Sequence, residues 1–256
     1  MNSQIESVEL LGIRFDALTE TQTGEHIVTA LGHGNGGTLV TANLDYLRRC
    51  GCDDGFGHFV KRSDLIVADG MPLIWASRLQ GTPLPERVAG SSLCLSLSEK
   101  LARQSSSIYL LGGNPGVAKQ AAQILQDRFP GLRIAGTHCP QIGFEKDAEQ
   151  LESIRQQLIH ANPDVVYVAL GSPKTEKLIQ LLRHDLPKTW WIGIGISLSF
   201  ITGEVRRAPR WMQASGMEWI HRMAQEPTRL GKRYLIDGIP FALKLLSYSL
   251  LKRFRT

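Results

Sequence analysis

The stretch Leu65-Ile66-Val67-Ala68-Asp69-Gly70-Met71-Pro72 decides the fold. Four apolar residues, two of them β-branched, read as a short buried strand, and Gly70 with Pro72 stops it and opens a helix from Pro72 to about Leu79. Asp69 then stands at the carboxyl end of a strand, the edge at which open α/β sheets bind ligands. Two roles are open to a carboxylate there: general base lifted partly out of water, or N-cap of the helix that follows.

Similar units lie on both sides. Upstream, Val8 to Leu18 reads as a small hairpin, Thr21 to about Leu31 as a helix, and Thr38 to Ala42 as a strand ending in Asn43-Leu44-Asp45. That ending sets several short polar side chains at the same sheet edge as Asp69, more than one helix cap requires. Downstream, a helix from Leu93 to Arg103 is expected to start on Ser91 or Ser92 as N-cap. Strand Ser107 to Leu111 passes through Gly112-Gly113-Asn114-Pro115-Gly116 into helix Val117 to Phe129. Strand Leu132 to Gly136, an exposed loop around Thr137 to Phe144, and helix Asp147 to Ala161 come next. Strand Asp164 to Leu170, a helix ending near Leu186 and strand Trp190 to Ile194 complete the series. Strands alternating with helices imply a parallel sheet flanked by helices, a Rossmann-like α/β domain over residues 1–195.

The alternation stops there, and residues 196–256 read as a helical appendage. From residue 201 onward there are 11 Lys and Arg against 4 Asp and Glu, whereas the whole 256-residue chain carries a net +5. The basic character is therefore a property of the C-terminus, which suits phosphates of a diphosphate ligand or an anionic lipid surface. Gly238 and Pro240 are expected to break the last helical region, Thr228 to Arg255. Beyond them Leu243, Leu246, Leu250 and Phe254 share one helical stripe, fit to lie on a membrane surface or to dock on the core. Asp237, Gly238, Pro240 and Lys244 are expected to interrupt every apolar window long enough to span.

Several classes are set aside. A hydrophobic content of 43% over this length supports a full core, not a disordered chain. Cys50, Cys52, Cys94 and Cys139 make neither a disulfide framework nor a zinc site, and read as reduced thiols of a cytosolic protein. Met1 to Glu6 lacks the basic-then-apolar pattern of a secretion signal. The glycine turn at Gly112 is not Gly-x-Gly-x-x-Gly, and Leu132 and Arg133 stand where a ribose-binding acid would be needed, so no dinucleotide cofactor is expected. No nucleic-acid motif accompanies the basic tail. His138, His160, His184 and His221 show no metal-ligand spacing and receive no role.

Seven short motifs, in order, then converge. They are Thr41-Ala42-Asn43-Leu44-Asp45, Ala68 to Pro72, Arg87-Val88-Ala89-Gly90-Ser91, Gly112 to Gly116, Gly171-Ser172-Pro173-Lys174, Arg207-Ala208-Pro209, and Glu218-Trp219-Ile220-His221-Arg222 running on to Glu226-Pro227-x-Arg229. Together they resemble the WecG/TagA/CpsF glycosyltransferases over roughly Val8 to Tyr234. The resemblance implies an inverting transferase that moves a sugar from a UDP donor to a polyprenyl-diphosphate-linked saccharide, for bacterial surface polysaccharide, at the cytoplasmic face of the membrane. It also implies a basic appendage that helps close the site. By motif position Asp69 is the general base, Thr41 and Asn43 contact substrate, Arg87 reaches the site, and Arg222, Arg229 and Arg233 face the diphosphates. The chain departs from the family's usual Asp at Ser92 and usual Gln at Thr175, both at sugar-contact positions.

The residues themselves fit such chemistry. A sugar hydroxyl attacking an anomeric carbon needs a base, and the departing nucleotide needs stabilisation. Asp69 suits the first; helix starts after Gly112-Gly113 and Gly171-Ser172, with the appendage arginines, suit the second. No Asp-x-Asp pair occurs, so metal-independent transfer without a cofactor is expected. The competing reading is a membrane-associated module that senses a nucleotide sugar without turning it over.

Overall fold

The computed structural model describes residues 5–254. Its strands are β1 (Ser7–Leu10), β2 (Ile13–Asp16), β3 (Gly37–Ala42), β4 (Leu65–Ala68), β5 (Ser107–Gly112), β6 (Arg133–His138), β7 (Val165–Ala169) and β8 (Trp190–Gly193). The last six form one sheet in the order β4-β3-β8-β7-β5-β6, and every pairing is parallel. This is the Rossmann-like arrangement that the alternation implies. β5 and β7 are buried at every position, as strands covered on both faces must be. Their side chains alternate between two cores. Tyr109, Leu111, Val166 and Val168 enter one, while Ile108, Leu110, Val165 and Tyr167 enter the other.

The antiparallel hairpin β1–β2 covers the open edge of β4. The buried Asp16 carboxylate accepts the Ile66 N–H at 2.8 Å, occupying a group that the edge strand would otherwise leave unpaired.

The helices are α1 (Glu20–Gly32), α2 (Leu44–Cys50), α3 (Asp54–Lys61), α4 (Met71–Gln80), α5 (Gly90–Ala102), α6 (Val117–Arg128), α7 (Ala148–Ala161), α8 (Lys174–Leu182), α9 (Ser197–Thr202), α10 (Arg210–Ala214), α11 (Glu218–Gln225), α12 (Pro227–Gly231) and α13 (Ile239–Arg253). Five sequence expectations need correction. α5 begins at Gly90 with Ala89 at its cap, so Ser91 and Ser92 lie inside the first turn and cap nothing. Phe144 is buried, and only the neighbouring loop around Ile142 is exposed.

The third correction is that Gly238 and Pro240 do not break the terminal helix. A π-helical segment, Lys232–Gly238, joins α12 to α13, so helix runs from Pro227 to Arg253. The wider π turn takes up the extra residue, and Pro240 falls in the first turn of α13, where its missing N–H costs least.

The fourth concerns the docked face. Leu245 and Ser249 are buried, with Phe241 and Leu246 partly covered, and this face packs on α4. Leu243, Leu250 and Phe254, expected on the same stripe as Leu246, are exposed. The fifth is that Asp237, Gly238, Pro240 and Lys244 do not interrupt every apolar window: the 27-residue helix holds an 18-residue window of mean hydropathy 1.3, long and apolar enough to cross a membrane by length and composition. One side of it is nevertheless committed to α4.

Candidate active site

A cavity of about 970 Å³ opens at the carboxyl ends of the strands. Thr41 and Asn43 reach it from the end of β3, Asp69 from β4, Gly113 from β5, Gly171 and Ser172 from β7, and Gly195 from β8. Arg222, Arg229 and Arg233 close it from the appendage, and Arg87 and Thr175 also line it. Of the residues singled out for the site in the sequence, Ser92 lies outside, bonded to Arg207 Nη2 at 2.9 Å, and so does Gly112. A Cβ there would stand 2.5 Å from the Ala169 carbonyl, and its φ is +110°, so the glycine serves the close approach of β5 to β7.

Asp69 is not a helix cap. Gly70 occupies the cap position of α4, and no side chain caps that helix. The Asp69 N–H continues the ladder to the Ala42 carbonyl at 2.8 Å, and the Val88 N–H binds the Ala68 carbonyl at 2.8 Å. These two bonds fix Asp69 between β3 and the Arg87–Gly90 segment. Burial pushes its carboxyl up to about 6. The Arg87 guanidinium opposes that rise, Glu218 adds to it, and the Gly90 N–H and Arg222 oppose it. A carboxylate so held is ionised at neutral pH yet basic enough to accept a proton.

Asn43, by contrast, does cap. Its side-chain oxygen accepts from the Asp45 and Tyr46 N–H groups at 3.0 and 3.3 Å, which leaves its amide nitrogen free to face the cavity. The Thr41 Oγ1 would lie 3.1 Å from a Cβ at position 90, so a glycine there lets α5 begin against β3.

Two carboxylates hold the arginines around the site. Glu218 receives Arg87 Nη1 at 3.0 Å and lies 3.5 Å from Arg207 Nε. Asp45, nearly buried, gathers Arg48 and Arg49 at 3.0 Å each and Arg233 at 3.3 Å. Burial raises the Asp45 pKa, but Arg233, Arg49 and Arg48 together carry it below the ordinary carboxylate value. Beside it, the Tyr46 hydroxyl donates to the buried Glu176 carboxylate, and burial foremost pushes the Tyr46 pKa well up. The polar atoms Ser172 Oγ, Thr175 Oγ1, Glu176 Oε2 and Arg233 Nε have no hydrogen-bond partner in this corner. Arg229 bonds Glu226 at 2.5 Å on its own helix.

Sequence reasoning gave no role to Glu218, Tyr46, Glu176 or Glu204. Glu204 is the least expected. Its carboxylate accepts from Asn114 at 2.7 Å and Ser199 at 2.6 Å, and these bonds hold its pKa down. A negative charge therefore stands beside the Gly113 turn, where helix α6 was expected to receive a diphosphate; hydroxyl groups suit that corner better than phosphate. Among the described residues no group of three His, Cys, Asp or Glu side chains is arranged to hold a metal ion.

The sequence pattern of the glycosyl transferase WecG/TagA/CpsF family matches residues 8–255. The chain belongs to this family. It is 32% identical over 212 residues to an N-acetylglucosaminyldiphosphoundecaprenol N-acetyl-beta-D-mannosaminyltransferase of Bacillus subtilis, covering 82% of this chain and 79% of that protein. A protein of the same name from Staphylococcus aureus is 29% identical over 235 residues, 90% of this chain and 89% of the relative. In this WecG/TagA/CpsF glycosyltransferase, the motifs at the ends of β3, β4, β5 and β7, the Arg87–Ser91 segment and the Glu218–Arg229 stretch of the appendage surround the cavity.

Proposed function

We propose that this glycosyltransferase moves a sugar from a UDP donor to a saccharide linked through diphosphate to a polyprenyl lipid. The relatives' names support the acceptor class: they act on N-acetylglucosaminyldiphosphoundecaprenol. The observation that carries the reading is Asp69, a non-capping carboxyl whose pKa is raised to about 6, in a cavity lined by five arginines, Arg48, Arg87, Arg222, Arg229 and Arg233.

The chemistry is a single displacement. Asp69 takes the proton of the acceptor hydroxyl as its oxygen attacks the anomeric carbon, and the bond to UDP breaks on the opposite face, inverting the centre. Arg222, Arg229 and Arg233 stabilise the diphosphate charge that develops as UDP leaves. Thr41 and Asn43 contact the reacting sugars. Thr175, Gly171 and Ser172 line the donor side. With guanidinium groups supplying the positive charge, transfer proceeds without metal and is insensitive to EDTA.

Residues 1–195 serve as the catalytic unit, and residues 196–256 complete the site and hold it at the cytoplasmic face of the membrane. Leu235, Ile236, Ile239, Leu243, Leu250, Leu251 and Phe254 are exposed along one long helix, with Lys232, Lys244 and Arg253 exposed among them. That combination suits an interfacial helix resting on anionic lipid.

The test is UDP release from a panel of UDP-sugars with a short-chain polyprenyl-diphosphate N-acetylglucosamine. One donor should be turned over by wild type and not by Asp69→Asn. Tight UDP binding with no release from any donor and acceptor pair would instead favour a nucleotide-sugar sensor.

A further inference from the structure

The glycine turn between β5 and α6 lacks a local acid for a ribose hydroxyl, since Leu132 and Arg133 stand where one would be needed. The structure brings a carboxylate there from elsewhere. Glu204, 90 positions beyond Asn114, reaches the turn and lines the central cavity together with Gly113, Asn114 and Ser199.

Neutral donors hold this carboxylate. Asn114 Nδ2 donates to Oε1 at 2.7 Å, and Ser199 Oγ donates to Oε2 at 2.6 Å. Gly203, with φ +77°, turns the chain out of α9, and the Val205 N–H returns to the Ser199 carbonyl at 3.1 Å, so the backbone on both sides of Glu204 is fixed. Among the described residues Glu204 has no cationic partner, and its two hydrogen bonds keep it ionised. An ionised carboxylate offers about four lone-pair positions, and here each oxygen has used one. One acceptor position remains on each oxygen, side by side, on an exposed side chain at the cavity wall. Two adjacent acceptors with a full negative charge repel phosphate and suit two neighbouring hydroxyl groups. Phosphate has partners elsewhere in the cavity, in Arg222, Arg229 and Arg233.

We propose that Glu204, held by Asn114 and Ser199, binds the 2′- and 3′-hydroxyl groups of the donor's ribose. The proposal rests on the nucleotide-donor reading of the cavity and adds the residue that reads the nucleoside. It orders the donor along the strand ends, with the nucleoside on the β5 side and the reacting sugar toward Asp69 on the β4 side.

The experiment is calorimetric titration of the full chain with UDP, 2′-deoxy-UDP and 3′-deoxy-UDP, for wild type, Glu204→Gln and Glu204→Ala. UDP carries no sugar besides its ribose, so a response to a missing hydroxyl belongs to the nucleoside. Glu204 is exposed and outside the core, and both variants should keep the wild-type melting temperature. Wild type should bind UDP on the order of tenfold tighter than either deoxy form. In both variants UDP should weaken by at least that factor, and the three ligands should fall within about twofold of one another. Discrimination that disappears with Glu204 supports the proposal, because a residue that only shaped the loop would weaken all three ligands alike. Equal binding of the three ligands by wild type, or discrimination that survives both substitutions, overturns the proposal and leaves the nucleotide-donor reading standing. Binding of none of the three by wild type overturns both.

Discussion

Arg87 Nη1 lies 3.0 Å from Glu218 Oε2, and this one contact joins the Arg87–Gly90 segment beside Asp69 to the first turn of α11 in the appendage. Both side chains are more than four-fifths covered. Glu218 therefore does two things at once: it holds the appendage over the site, and it raises the Asp69 pKa that Arg87 lowers. Replacing it as Glu218→Gln removes the raising charge and leaves Arg87 free to act on Asp69. The acid limb of the kcat/KM profile should then move to lower pH, by several tenths of a unit to about one unit. Arg87→Gln should move it to higher pH, and opposite displacements in the two variants are the result to look for.

The raised Asp69 pKa predicts a trade between activity and stability. The folded chain holds the Asp69 proton up to about pH 6, whereas an unfolded aspartate releases it near 4. Between those values the folded state binds more protons, so stability falls as pH rises through this window and stays lower above it. Asp69→Asn removes that penalty. At pH 7 the variant should be more stable than wild type by on the order of 1–3 kcal/mol, with the difference vanishing near pH 4. Its turnover should drop by roughly 10²–10⁴-fold. Thermal melts at the two pH values, beside UDP release, check both halves.

Of Arg222, Arg229 and Arg233, Arg233 is the one tied to the core by an ion pair, through Asp45. In Arg233→Gln, Asp45 keeps Arg48 and Arg49, so the fold should persist. The loss should fall on diphosphate recognition. KM for the nucleotide donor or the lipid acceptor should rise on the order of tenfold, with a smaller change in kcat if the contact is made equally in ground and transition states. Arg229, paired with Glu226 on its own helix, should give a weaker effect when changed to Gln.

How much of this was legible in the sequence follows from the range of each interaction. The alternation of apolar runs with amphipathic ones is local, and it placed every strand of the sheet. The short helix α3 went unassigned because Gly55 and Gly57 lie inside it, although Asp53 as a cap and the spacing of Phe56, Phe59 and Val60 carry the signal. Asp before Gly-x-Pro reads locally as cap or base, motif order points to the base, and the observed Gly70 cap removes the capping role. Glu218 stands in a quoted motif yet carries no role in the sequence reading, for a different reason. Its partner Arg87 is 131 positions away, and no period or propensity links residues at that distance. The terminal helix was read as broken because glycine and proline are helix breakers on average, and the π turn that absorbs them is a tertiary accommodation.

That helix also decides how membrane association should be tested. Deleting everything from Pro240 would strip Phe241, Leu245 and Ser249 from α4 and expose the core, so lost binding could reflect unfolding. Leu245→Ala, at a fully buried position, should already cost about 2–5 kcal/mol. The informative changes are on the outward face, where Leu250 and Leu251 are exposed and lie outside the cavity. Leu250→Glu with Leu251→Glu should leave the melting temperature within about 2 °C of wild type, since neither site is in the core. Each leucine that no longer enters the acyl boundary forfeits roughly 1.5–2 kcal/mol of apolar transfer, and the new charges are repelled by anionic lipid. Sedimentation with phosphatidylglycerol vesicles should therefore weaken by roughly 10²-fold or more. UDP release with a water-soluble short-chain acceptor should stay near wild type, because these two changes alter how the enzyme meets a membrane and leave Asp69 and Arg87 in place. Undiminished sedimentation of the double variant would show that this helix face is not what holds the protein to lipid.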